Sequence, residues 1–223
     1  MALLKGEGTH QILYGAADIF SGLRHNRGYL ARPDHTGSFP TILLVHGHDG
    51  VTASVKAFAR RLARYGLAVA CPDLYRGRTS DWPADQAVAS VLADASHWIA
   101  STDTPWVQSG AVGLLAMDRA APAALGFVAT SDMVGGVVLI SPVVSEGPSA
   151  PPIPLLGFFG KEDAIVDGAD RNRTQAQLSS GEWVLYGGVG HGLIDEAASD
   201  YQWEVAEDVA DRTVAHFTQV LAS

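Results

Sequence analysis

Residues 111–129 read AVGLLAMDRAAPAALGFVA, and the turn at their centre decides the fold. Residues 111–116 are a short aliphatic run of strand type, and residues 122–130 carry an Ala/Leu-rich pattern of helix type. Between them stand a carboxylate, Asp118, and a guanidinium, Arg119. A strand that passes into a helix through a charged pair marks the carboxyl end of a sheet strand, where open α/β sheets gather their function. In that place Asp118 is either a reacting group on a tight turn or an N-cap, a position that carboxylates favour.

The same alternation runs outward in both directions. TILLVHG (41–47) is a buried strand that stops at polar, glycine-containing residues. VTASVKAFARRLARYG (51–66) places Val55, Phe58, Ala59 and Leu62 at helical spacing before a glycine stop at Gly66. LAVACPDLY (67–75) reads as a strand and ADQAVASVLADASHWIA (84–100) as a helix. Further on, GGVVLISPV (135–143), PIPLLGFFG (152–160) and EWVLYGG (182–188) are strand signals. Residues 172–179 read as a short helix and residues 201–221 as a long amphipathic one. This spacing predicts an α/β fold, a mainly parallel sheet covered by helices on both faces. With no repeat, low-complexity tail or linker, residues 1–223 are expected to form a single domain.

Composition narrows the function classes. Lys and Arg number 15 against 24 Asp and Glu, a formal charge of −9, so no general attraction to nucleic acid or anionic membrane is expected. The one cysteine, Cys71, excludes an intrachain disulfide and any multi-cysteine metal site. No charged-then-apolar leader opens the sequence, and no apolar run approaches membrane-spanning length, so a soluble, cytoplasmic protein is the expectation. Monomer and homodimer both stay open.

Four polar groups fall at strand ends: HGHDG (46–50), MDR (117–119), GKEDAIVD (160–167) and GGVGHG (187–192). Their reactive candidates run Asp118, Asp163, His191. Nucleophile, acid, histidine is the chain order of an α/β-hydrolase triad. Singly, Asp163 also reads as a loop brace and His191 as a packed core residue; three together at strand ends are more informative. His46, His48 and Asp49 share one loop, too little for a metal site, and none is expected.

The sequence resembles the dienelactone hydrolase family over nearly its whole length. The likeness is carried by GYLARP (28–33), CPDLYRGR (71–78), VGLLAMDRAA (112–121), FFGKEDAIV (158–166) and YGGVGHGLIDE (186–196). It implies an α/β-hydrolase fold without a large cap domain and a cofactor-independent hydrolase of a small organic substrate. It also implies catalytic roles at positions 118, 163 and 191. The chain departs from the family at the elbow, where cysteine gives way to Asp118 and the surrounding glycines to Ala116 and Ala120. The family's loop glutamate falls at Gly47. Likeness to α/β-hydrolases implies an oxyanion hole from backbone N–H groups near His48 and Arg119. Asp118-Arg119 also resembles the Asp-Arg elbow of fluoroacetate dehalogenases, although HDRG there is MDRA here. That resemblance makes Arg119 the expected clamp for a substrate carboxylate. Arg76 and Arg78 follow PDLY, where the dienelactone hydrolase resemblance implies substrate-contacting basic residues, and they read equally as exposed loop charges.

Chemistry separates the options at residue 118. An aspartate attacking an acyl carbon makes a mixed anhydride, a poor exchange. Attack at a saturated carbon displaces halide or opens an epoxide and leaves an ordinary ester, which water activated by His191 hydrolyses while Asp163 orients the imidazole. Lactone or carboxylic ester hydrolysis by water that Asp118 and His191 activate directly is a second route. Proton transfer in an isomerase or cyclase, and a catalytically silent binding protein, are the remaining readings. Flanked by two carboxylates, His191 is expected to have a raised pKa.

Overall fold

The computed structural model describes residues 8–21, 24–76, 82–144 and 152–222. Its strands are β1 (Ile12–Ser21), β2 (Arg24–Pro33), β3 (Thr41–Val45), β4 (Ala68–Pro72), β5 (Val112–Met117), β6 (Val134–Ile140), β7 (Leu155–Gly160) and β8 (Glu182–Tyr186). They form one eight-stranded sheet in the order β1-β2-β4-β3-β5-β6-β7-β8. β2 pairs antiparallel with both its neighbours; the pairs from β4 to β8 are all parallel.

Every residue of β3, β4, β5 and β7 is buried, which is why these strands are continuous apolar runs rather than alternating ones. Helices α1 (Ala53–Arg64) and α5 (Trp203–Val220) cover one face, and α2 (Asp85–Ile99) and α3 (Ala121–Val128) the other. Helix α4 (Gly168–Gln177) connects β7 to β8. Helix α1 starts where Thr52 accepts the Val55 N–H at 3.2 Å, and it buries Val55, Phe58, Ala59 and Leu62, the residues its periodicity selects. Under α5, a Cβ on Gly113 would lie 2.5 Å from Phe217, so the glycine lets that ring rest on the sheet.

Two elements differ from expectation. Strand β1 carries no clear strand signal, yet pairs with β2 from Ile12 opposite Pro33 to Ser21 opposite Arg24. Helix α4 begins at Gly168 rather than residue 172, because Asp167 accepts the Asp170 N–H at 2.9 Å and caps it. Only residues 141–154 separate β6 from β7, too short a stretch for a helical cap domain over the sheet. No described helix is long and apolar enough to cross a membrane.

Candidate active site

Strand β5 ends at Met117, and the next residue, Asp118, adopts φ = 49°, a left-handed conformation uncommon outside glycine. A short 3-10 turn over Asp118–Ala120 then leads into α3. Ala116 at the end of β5 and Ala120 in this turn, the positions where the resemblance expects glycine, are completely buried. The Val143 N–H, just beyond β6, donates to the Asp118 carbonyl at 3.1 Å and holds the strained residue. The Asp118 side chain does not cap α3. Its Oδ2 instead accepts the His48 N–H at 2.9 Å, and its Oδ1 lies 3.5 Å from His191 Nε2.

This approach depends on Gly47, since a Cβ there would sit 2.8 Å from the Asp118 Cβ. The loop that carries Gly47 and His48 is pinned from below. His46 is fully buried; its Nε2 accepts the Leu74 N–H at 2.9 Å, so Nδ1 carries the proton and donates to the Gly47 carbonyl at 2.8 Å. The Tyr75 hydroxyl donates to the His48 carbonyl. His46 therefore braces the loop. Among the described residues, no group of three or more His, Cys, Asp and Glu side chains gathers as a metal site.

On the other side, His191 Nδ1 lies 2.8 Å from Asp163 Oδ2. Asp163 is buried, and its Oδ1 accepts the Ile165 and Val166 N–H groups at 2.7 and 2.9 Å, which fixes the carboxylate as an acceptor for Nδ1–H. The loop before His191 is clamped by two carboxylates. Glu162 accepts the Gly188 N–H at 2.7 Å, and Asp200 accepts the Gly190 N–H at 2.6 Å. Buried Ser141, at φ = 45° after β6, donates its hydroxyl to the His191 carbonyl at 2.7 Å.

Electrostatics follow from this geometry. Burial opposes the imidazolium of His191, but hydrogen bonds and charge from Asp118 and Asp163 outweigh it and push the pKa up to about 9. Burial likewise opposes ionisation of Asp118 and Asp163. Bonds to His191, with backbone N–H groups and its positive charge, still hold both carboxyls below their usual value. Cys71 is buried away from this site, and desolvation pushes its thiol well up.

Asp118 and His191 open onto a cavity of about 290 Å³ walled by Met117, Ile140, Val55, Leu193 and Ile194. That is the size of a small organic molecule. Asp49 and Asp195 also line it, and no Lys or Arg does among the described residues. Asp195 accepts the Ser54 hydroxyl at 2.7 Å. Of the expected arginine clamp, neither described member lines the cavity. Arg119 is exposed outside the cavity lining, although its charge helps to keep Asp118 ionised. Arg76, at φ = 52°, directs its guanidinium to Asp94 at 3.6 Å. Arg78 lies outside the described residues. In the sequence Ser141 follows a strand but lacks elbow spacing, and neither its bond to the His191 carbonyl nor the steric role of Gly47 was legible there.

Comparison with known proteins agrees with this architecture. The dienelactone hydrolase family profile matches residues 26–221. A carboxymethylenebutenolidase homologue of Yersinia pestis is 26% identical over 242 residues, covering 95% of this chain and 90% of its own. One from Synechocystis is 26% identical over 215 residues, covering 81% and 86%. Among solved structures, a dienelactone hydrolase homologue from Klebsiella pneumoniae superimposes with a TM-score of 0.78 at 21% identity, over 94% of this chain and 100% of that one. Dienelactone hydrolase from Anabaena variabilis gives 0.75 at 23% identity, over 95% and 99%. A dienelactone hydrolase-like promiscuous phosphotriesterase from metagenomic libraries gives 0.73 at 16% identity, over 94% and 98%. The match runs from β2 to the end of α5 on an α/β-hydrolase fold, and the chain belongs to the dienelactone hydrolase family of hydrolases.

Proposed function

We propose that this hydrolase opens a carbon–halogen bond or an epoxide by covalent catalysis, with Asp118 as nucleophile, His191 as base and Asp163 as its orienting acid. One observation carries the reading: Asp118 stands on a left-handed turn with Oδ2 on the His48 N–H and Oδ1 facing His191. Oδ1 attacks the saturated carbon, and the breaking bond's electron pair leaves as halide, or as an alkoxide that takes the proton from His191 Nε2. The product is an alkyl ester of Asp118. Esterification removes one of the two negative charges that hold His191 protonated, so the imidazole becomes a base only once the intermediate exists. With halide as leaving group, that proton passes to solvent.

Neutral Nε2 then takes a proton from water, and the hydroxyl adds to Cγ of Asp118. Negative charge develops on Oδ2, where the His48 N–H already points, and the backbone N–H of Arg119, the residue after the elbow, is the second donor this reading calls for. Collapse expels the alcohol with a proton from His191 and regenerates Asp118. The net reaction is R–X plus water giving R–OH and HX, or an epoxide plus water giving a diol.

Lactone or ester hydrolysis by directly activated water is the second reading, favoured by family membership and by relatives named carboxymethylenebutenolidases. A single turnover with enzyme in excess in H₂¹⁸O separates the two. Haloacids, epoxides, lactones and activated esters are the substrates to test. On the covalent route water adds to Asp118, so the label enters the Asp118 peptide and the first product is unlabelled. On the direct route the label enters the product and Asp118 stays unlabelled, which would overturn the nucleophile. His191→Ala supplies the complement, since it should accumulate the ester as added mass on Asp118.

A further inference from the structure

A second cavity, of about 400 Å³, shares Gly50 with the first and none of its other lining residues. Its lining is Ala16, Arg27, Gly28, Tyr29, Gly50, Val51, Lys56, Asp73 and Tyr75; the charged and aromatic members carry the argument. Among the described residues, neither Arg27 nor Lys56 is paired with a carboxylate. Lys56 is half-buried and stands 5.9 Å over the Tyr29 ring. Asp18, opposite Arg27 in the β1–β2 register, is outside the lining. Asp73, the one acid in the cavity, already accepts the Tyr75 N–H at 3.0 Å.

The two cavities are opposite in charge. The catalytic one presents Asp49, Asp118 and Asp195 against the His191 imidazolium, with no described Lys or Arg, and this net negative lining repels an anion. This one sets two cations against one engaged acid, a net single positive charge, in a chain whose formal charge is −9. Tyr29, Val51, Ala16 and Tyr75 give it apolar walls of the kind that hold a ring or short chain.

We propose that this cavity binds a small organic monocarboxylate, its charged end on Arg27 and Lys56 and its apolar body against Tyr29, Val51 and Tyr75. A guanidinium takes a carboxylate through two parallel N–H donors, and an ammonium adds a point charge. One net positive charge matches a monocarboxylate better than a phosphate dianion. This site is independent of the chemistry at Asp118.

Calorimetric titration with benzoate, and with benzamide as its neutral counterpart, tests the proposal. Benzoate is expected to bind the native protein and Asp118→Asn alike, and benzamide far more weakly. Arg27→Gln and Lys56→Gln should each weaken benzoate by roughly 10- to 100-fold, the worth of a charged hydrogen bond, with unchanged melting temperatures. Saturable binding that both substitutions leave intact, or that Asp118→Asn alone abolishes, would overturn it, as would no saturation at millimolar benzoate. Once a substrate is in hand, benzoate that raises KM without changing kcat marks the cavity as holding an end of the reacting molecule. A change in kcat without competition marks a separate ligand. Either pattern supports the site.

Discussion

His191 Nε2 stands 3.5 Å from Asp118 Oδ1 while its Nδ1 stands 2.8 Å from Asp163 Oδ2, so one imidazole is held between two carboxylates. The two contacts differ in kind. The Asp163 contact is a full hydrogen bond to a buried acceptor. The Asp118 contact is longer than a good hydrogen bond, and both groups open onto the cavity, from which a reacting group can reach Oδ1. Asymmetry of this kind suits a fixed orienting partner and a working partner.

Titration of the imidazole by NMR should find His191 near 9 in the native protein. Asp118→Asn keeps the shape of the side chain and removes its charge, so the pKa should fall toward the ordinary value of 6.5. An unchanged pKa in the variant would mean that the two residues are not coupled in solution.

The same couplings set the pH range of stability. A histidine whose pKa rises on folding, here from 6.5 to about 9, stabilises the fold fully below 6.5 and loses that contribution as pH rises through 9. Asp118 and Asp163, lowered from 3.8, stabilise it above that value and lose their contribution as pH falls below it. Melting temperature should therefore be highest between about pH 4 and pH 6.5. In His191→Gln the decline on the alkaline side should shrink; a decline of the same size would assign it to other groups.

Gly47→Ala probes the approach of the loop to the elbow. Its Cβ would meet the Asp118 Cβ at 2.8 Å, and that contact is between short, inflexible groups. The fold should survive at a cost of about 1–3 kcal/mol, while displacement of the His48 N–H from Oδ2 lowers turnover by roughly 100-fold or more. Gly15→Ala is the control, because a Cβ there meets nothing within 4 Å. Equal activity in the two variants would sink the role assigned to Gly47.

The parts of this molecule that were legible in the sequence share a physical origin. Strands β3, β4, β5 and β7 are buried on both faces, and burial on both faces writes an unbroken apolar run. Asp118, Asp163 and His191 follow such runs or their sheet neighbours directly, so their meeting at one end of the sheet follows from parallel topology. Strand β1 was not legible, because an edge strand with Gly15, Ala16, Ala17 and Asp18 at its centre has little apolar pattern to show. The setting of Arg76 was not legible either: it lies at φ = 52° with its guanidinium 3.6 Å from Asp94, and residue type reveals neither. Contacts such as His46 on Leu74 or Ser141 on His191 join residues 28 and 50 positions apart, and no local pattern encodes them.

Ser141 gives the sharpest test of how the histidine is positioned. Its hydroxyl holds the His191 carbonyl at 2.7 Å, and its backbone sits at φ = 45°, where a residue with a Cβ is strained. Ser141→Ala and Ser141→Gly both remove the hydroxyl, but only glycine relieves the backbone. Alanine should destabilise by about 0.5–1.5 kcal/mol, since the His191 carbonyl loses one of its two hydrogen bonds and keeps the Leu193 N–H at 3.0 Å, and glycine should be less harmful because it accepts positive φ. Turnover should nonetheless fall in both, by roughly tenfold, with KM little changed, because His191 loses a support that fixes it relative to Asp118. Melting temperatures that separate the two variants while kcat does not would identify the hydroxyl as a positioning group. Native kcat in Ser141→Gly would show that the serine serves the fold alone.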